Sequence, residues 1–133
     1  TITHNAKFYG DIPLRIQDKI DVMNEKKSTA QQLEQAGAEF VFGSYYDAIP
    51  IGYASGMSLR TITYKYNRFP LTPAELERES IPVAINTTPS DPWGEESLVA
   101  AQTGCTPRSE TVSDSVGVFQ IFDCLPSAVD FRQ

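Results

Sequence analysis

The stretch MSLRTITYKYNRF, residues 57–69, alternates so regularly that it dictates a sheet with two distinct faces. Arg60, Ile62, Tyr64, Tyr66 and Arg68 fall on one side; Leu59, Thr61, Thr63 and Lys65 fall on the other. Side chains alternate across a strand with a period of two, and β-branched and aromatic residues suit the pleated surface. A strand must pair, and AEFVF (38–42), IPVAI (81–85) and VGVFQIFDCL (116–125) are apolar runs that can supply partners, the last reading as central. TITHNAKFY (1–9) also alternates, with Ile2, His4, Ala6 and Phe8 on one side, and reads as a half-buried strand or an extended arm over 1–10.

Between the strands the helix signals are short. Ser28 and Gln31 fit a capping box opening a helix that stops at Gly37. Thr72, Pro73 and Glu75 open another, and Ser90 or Asp91 caps a third that ends by Gly104. In GDIPLRIQDKIDVMNEKKS (10–28) two readings compete: Ile16, Ile20 and Met23 stand at helical spacing, but Pro13 and IPLRI read as a strand. CTPRSETVSDS (105–115) reads as a polar loop, and the tail 125–133 carries no regular pattern. The expectation is one domain over 1–133, of α+β class: a mainly antiparallel sheet of five to seven strands with two or three short helices.

Net charge is −6, and most of it lies in residues 91–133, where seven acids face two bases. That balance repels phosphate backbones and anionic lipid, so nucleic acid and membrane are not expected partners. No apolar run approaches a bilayer span, and none near the amino terminus reads as a signal peptide. Arginine interleaved with aromatics at Arg60, Tyr64, Tyr66 and Arg68 can stack bases, but it reads better as a sheet face with snorkelling arginines.

Catalytic chemistry is narrowed by composition. The single histidine, His4, leaves no multi-histidine metal site and no histidine pair within one chain. GYASG (52–56) resembles a nucleophile elbow only loosely, because Ala54 holds the place where serine is required and Ser55 is one residue off. Thr1 reads as the product of methionine trimming or precursor cleavage rather than as an amino-terminal nucleophile. No phosphate-cradling glycine loop is present. Glu95 and Glu96 read as complements to a helix dipole rather than as a carboxylate pair. Asn86-Thr87-Thr88 matches a glycosylation acceptor, which matters only in a secreted protein. Cys105 and Cys124 leave two readings, a disulfide closing a short loop or two unlinked thiols. No catalytic, cofactor-binding or metal-ligating residues are assigned.

FGSYYDAIPIGYASGMS (42–58) holds three tyrosines, glycines and Pro50 between two strand-like segments. A long connection of this kind is usually functional, and tyrosine offers rigid, amphipathic area suited to interfaces. The competing reading makes AIPIGY a further strand with its tyrosines in the core. Trp93 is a second candidate contact, or else a plug over the end of the core. The expected interface residues are Tyr45, Tyr46, Asp47, Tyr53 and Trp93. The reading that follows is a non-catalytic structural or assembly subunit that works by protein–protein contact and self-association, such as a virion or appendage component, in a virion or extracellular setting rather than the cytoplasm. The alternative is a small enzyme or ligand-binding domain with a pocket under 43–56, using Asp47, Tyr45, Tyr64 and Arg60.

Overall fold

The computed structural model describes residues 2–65 and 70–131, with 2–15 described by their backbone alone. A helix of 34 residues, α1 (Ile2–Gln35), opens the chain. Then follow β1 (Phe40–Gly43), α2 (Tyr45–Ala54), β2 (Arg60–Thr63), α3 (Pro73–Leu76) and β3 (Ile81–Asn86). The chain continues through α4 (Pro92–Ala101), β4 (Cys105–Asp114), β5 (Gly117–Cys124) and α5 (Pro126–Val129). No helix among the described residues is long and apolar enough to cross a membrane.

The five strands form one sheet in the order β2-β1-β3-β5-β4. β1 runs parallel to both β2 and β3, while β5 runs antiparallel to β3 and β4. The class is α+β, but the sheet is mixed rather than mainly antiparallel. β1 and β3 are buried along their whole length, as parallel strands covered on both faces must be. Val41, Ala84, Phe119 and Ile121 pack on one face with Ala30 and Leu33 of α1 and Ala48 and Ile51 of α2. Phe40, Phe42, Val83, Ile85 and Phe122 face the other way, with Leu71, Ala101 of α4 and Val129 of α5. The molecule is therefore three layers, helices on each side of a sheet.

Several expectations change. The strand expected at 1–9, and with it the extended arm at 1–10, is replaced by the backbone of α1; Thr1 lies outside the described residues. In 10–28 helical spacing prevails, and Ser28 is an internal helix residue whose Oγ accepts from Gln32 Nε2 (3.1 Å) rather than a cap. Gly37, at φ +103°, ends the turn after α1, as its place in the sequence predicts. The long strand at 57–69 shrinks to β2, while Tyr66 to Phe69 lie outside the described residues. The polar loop at 105–115 is instead the edge strand β4. Its exposed residues conceal it from a hydrophobic pattern, and Pro107 sits at a break in register between Pro107 and Thr111. Cys105 and Cys124 stand opposite each other across β4 and β5 and are joined by a disulfide. The tail is more ordered than its sequence suggests: Phe131 stacks on Phe42 and meets Tyr64 edge-on.

Candidate functional site

The 43–56 segment is neither a loop nor a strand but the helix α2. Ser44 precedes it in extended conformation, and Asp47 sits in its first turn. Its buried face is Asp47, Ala48, Ile51 and Gly52, at the spacing a helix imposes. Gly52 permits the close approach to β2, because a β-carbon there would lie 1.8 Å from Thr61 Oγ1. The tyrosines are left outside. Tyr46 is 66% and Tyr53 76% exposed, so neither fills the core.

α2 also separates the residues expected to form one interface. Tyr45 and Tyr46 stand at its beginning and Tyr53 at its end. Tyr53, Pro50 and Ala54 line a groove with Val22, Met23, Lys26 and Lys27 of α1. Tyr45, Tyr46 and Ser44 instead line a cleft of about 520 Å³ with Tyr64, Lys65 and Trp93. Trp93 is 55% exposed and stacks on Tyr46 with centroids 6.4 Å apart and planes 25° from parallel, so it is not a plug over the core.

The cleft has a definite place in the topology. After β1 the chain turns to α2 on one face of the sheet; after β3 it turns to α4 on the other. Between the carboxyl ends of two such adjacent parallel strands a crevice opens, the position where open α/β sheets bind ligands. All three parallel strands contribute: Ser44 follows β1, Tyr64 and Lys65 follow β2, and Trp93 follows β3. Lys65 turns the chain there with φ at +62°, a left-handed conformation that a side chain other than glycine adopts at some cost.

Charge at the rim is balanced. Lys65 Nζ and the Tyr64 hydroxyl both donate to Glu96 Oε1, each at 3.1 Å. The ammonium first, then the phenol, hold the Glu96 carboxyl below its usual range. Burial, reinforced by Glu96, pushes the Tyr64 hydroxyl up.

Asp47 lies beneath this surface and does not line the cleft. Asn86 Nδ2 donates to its Oδ1 at 3.1 Å, and Ser44 Oγ donates to the neighbouring Asp91 at 3.3 Å. Asp91 caps α4 by accepting from the Gly94 amide (2.8 Å). Burial raises the Asp47 pKa, partly offset by the Asn86 bond. Asp47 is thus a buried carboxylate and not part of an exposed surface. Arg60 is at the opposite end of β2 from Tyr64 and is held by Glu75, so the constellation of Asp47, Tyr45, Tyr64 and Arg60 does not assemble. Asn86 is buried, which closes its glycosylation sequon in the folded chain. Among the described residues no three His, Cys, Asp or Glu side chains gather as a metal site.

Sequence reasoning missed the exposed face of α1. Ile16, Ile20, Val22 and Met23 are all exposed. Their signal was present in the helical spacing of Ile16, Ile20 and Met23, but Pro13 obscured it. Further along, α1 is fastened to the β4–β5 turn. Lys26 Nζ and Thr29 Oγ1 donate to Asp114 Oδ2 at 3.0 and 3.1 Å, and the Ser115 amide donates to Glu25 Oε1.

Comparison with known proteins adds no family: no family model, no curated protein and no solved structure matches the chain.

Proposed function

We propose that this chain is a non-catalytic assembly subunit that associates with copies of itself, and that the amino-terminal part of α1 is the contact. The observation that carries this reading is an exposed apolar stripe on α1 in line with its buried contact to the sheet, the two parted by Lys26 and Lys27. Ala30 is buried against the sheet; seven residues earlier on the same stripe Met23 is 56% exposed, and Ile20 and Ile16 follow at spacings of three and four. The alternation of three and four is the seam by which helices pair. The stripe that docks α1 on its own body thus runs past the body's edge with apolar side chains in water. Tyr53 and Pro50 extend the patch from α2. Fully burying one such side chain contributes about 1.5–3 kcal/mol, so a second α1 laid along the stripe is a favourable occupant.

A component of an appendage or a virion is the concrete form of this reading. The disulfide supports an oxidising, extracytoplasmic setting.

The test is absolute mass by light scattering after size exclusion, across a concentration series. The expected result is a discrete mass above the 14.7 kDa of one chain, falling to that of the monomer in Ile20→Asp and Met23→Asp. A monomer at every concentration refutes self-association.

A further inference from the structure

We propose that the cleft at the carboxyl ends of β1, β2 and β3 binds a neutral saccharide, with Tyr46 and Trp93 as its stacking platform. This goes beyond the assembly reading, since it concerns the opposite end of α2 from Tyr53.

Four observations carry it. The cleft occupies the topological switch point, and its volume of about 520 Å³ lies within the range of small-molecule sites. Two large rings stand near-parallel and mostly in water, which withholds from the core the area that Trp and Tyr normally bury. The polar groups that line the cleft are the Tyr64 hydroxyl, the Lys65 ammonium and, more deeply buried, Ser44; Glu96 stands behind the first two as their shared acceptor, so the wall offers both donors and acceptors. Finally, Lys65 in the left-handed region is a local strain placed at the rim, as functional sites often show.

The chemistry of the ligand follows by matching. An anion finds Lys65 already paired with Glu96, with Asp91 and Glu95 nearby in sequence and a chain of net charge −6 behind them. A wholly apolar ring would desolvate the Tyr64–Glu96–Lys65 group and offer it nothing. A pyranose suits both halves of the cleft. Its C–H face carries the partial positive charge that the negative face of an aromatic ring attracts, and its hydroxyl rim both donates and accepts.

Trp93 is the single tryptophan, so its emission reports on the platform directly. The full chain is titrated with chitotriose, cellotriose and maltotriose, and with inorganic phosphate and benzene, neither of which emits in the tryptophan band, as comparators. The expected result is a saturable change in Trp93 emission with at least one trisaccharide, weakened about tenfold in Tyr46→Ala, the loss of one aromatic contact. Tyr46 is exposed, and circular dichroism checks that the variant keeps its fold. Three outcomes overturn the proposal: no trisaccharide changes the emission, phosphate or benzene alone binds, or Tyr46→Ala leaves the trisaccharide affinity intact. Light scattering on the same Tyr46→Ala sample separates the two readings. A fall in mass with no response to any glycan assigns the rings to contact between copies, whereas wild-type mass with weakened glycan binding leaves assembly to α1.

Discussion

Asp47 illustrates how a single side chain can be misjudged from sequence. It stands among tyrosines and glycines in a segment that invites a functional reading, yet its carboxylate is buried against Asn86. Asp47→Ala deprives the Asn86 amide of the shorter of its two acceptor contacts, leaving the Val116 carbonyl at 3.4 Å, and is expected to lower unfolding stability by about 1–3 kcal/mol. Asp47→Asn keeps an acceptor and costs less; urea denaturation of both variants checks the order. Burial raises the Asp47 pKa above its unfolded value, so its stabilising contribution is greatest at acid pH and declines as pH rises through the folded value. Glu75 behaves oppositely. The Arg60 guanidinium foremost, with the Thr72 amide, holds its pKa at about 2 against a usual 4.5. A depressed value gives stability that is present above pH 4.5 and lost as pH falls toward 2. Glu75→Gln is therefore expected to destabilise by about 1 kcal/mol at neutral pH, the worth of a cap, with the difference from wild type vanishing near pH 2. Thr72 and Glu75 were legible as a capping box because that signal is local. The burial of Asp47 depends on α2 docking over β1 and β2 so that its first turn reaches Asn86 at the end of β3, which no local pattern records.

Among the elements, α2 shows why propensity failed. Pro50, Gly52 and β-branched Ile49 and Ile51 all disfavour a helix within ten residues. Packing overrides them: Ala48 and Ile51 are buried completely, and Gly52 lets the helix meet Thr61. Gly52→Ala drives a methyl into that hydroxyl and is expected to cost about 1–3 kcal/mol, although alanine is the better helix former; chemical denaturation decides which effect wins. The fastening of α1 is equally specific. Lys26 and Asp114 form an ion pair with side chains only 10% and 1% exposed. Asp114→Ala strands the Lys26 charge beneath the surface and is expected to cost about 3–5 kcal/mol by denaturant midpoint. The strands β1, β3 and β5 and the starts of α3 and α4 were readable from apolar runs and caps. β4 was not, because an exposed edge carries polar residues on both faces.

At the level of the entire chain, the order of the sheet was the least legible property. β1 and β2 are four residues each, too short for a sequence to declare whether they pair parallel or antiparallel. Only the helices between them, one hidden by Pro50, bring β1, β2 and β3 into parallel alignment. The switch-point cleft was out of reach for the same reason, although two of its rings, Tyr46 and Trp93, were already singled out as exposed candidates. Stability of the domain also rests on the bridge between Cys105 and Cys124, separated by 19 residues. Reduction, or Cys105→Ser with Cys124→Ser, is expected to lower stability by about 3 kcal/mol, read as a fall in denaturant midpoint.

The fastening of α1 to the β4–β5 turn has a mechanical meaning. If neighbouring copies grip one another by α1, tension on the assembly enters each subunit along that helix and is handed to the turn through Asp114 and Ser115. A hairpin pulled at its turn would ordinarily pay out chain as its ladder tears. Here the far end is closed covalently at Cys105 and Cys124, and the segment between them cannot lengthen. The hairpin receiving the load is thus a stiff link.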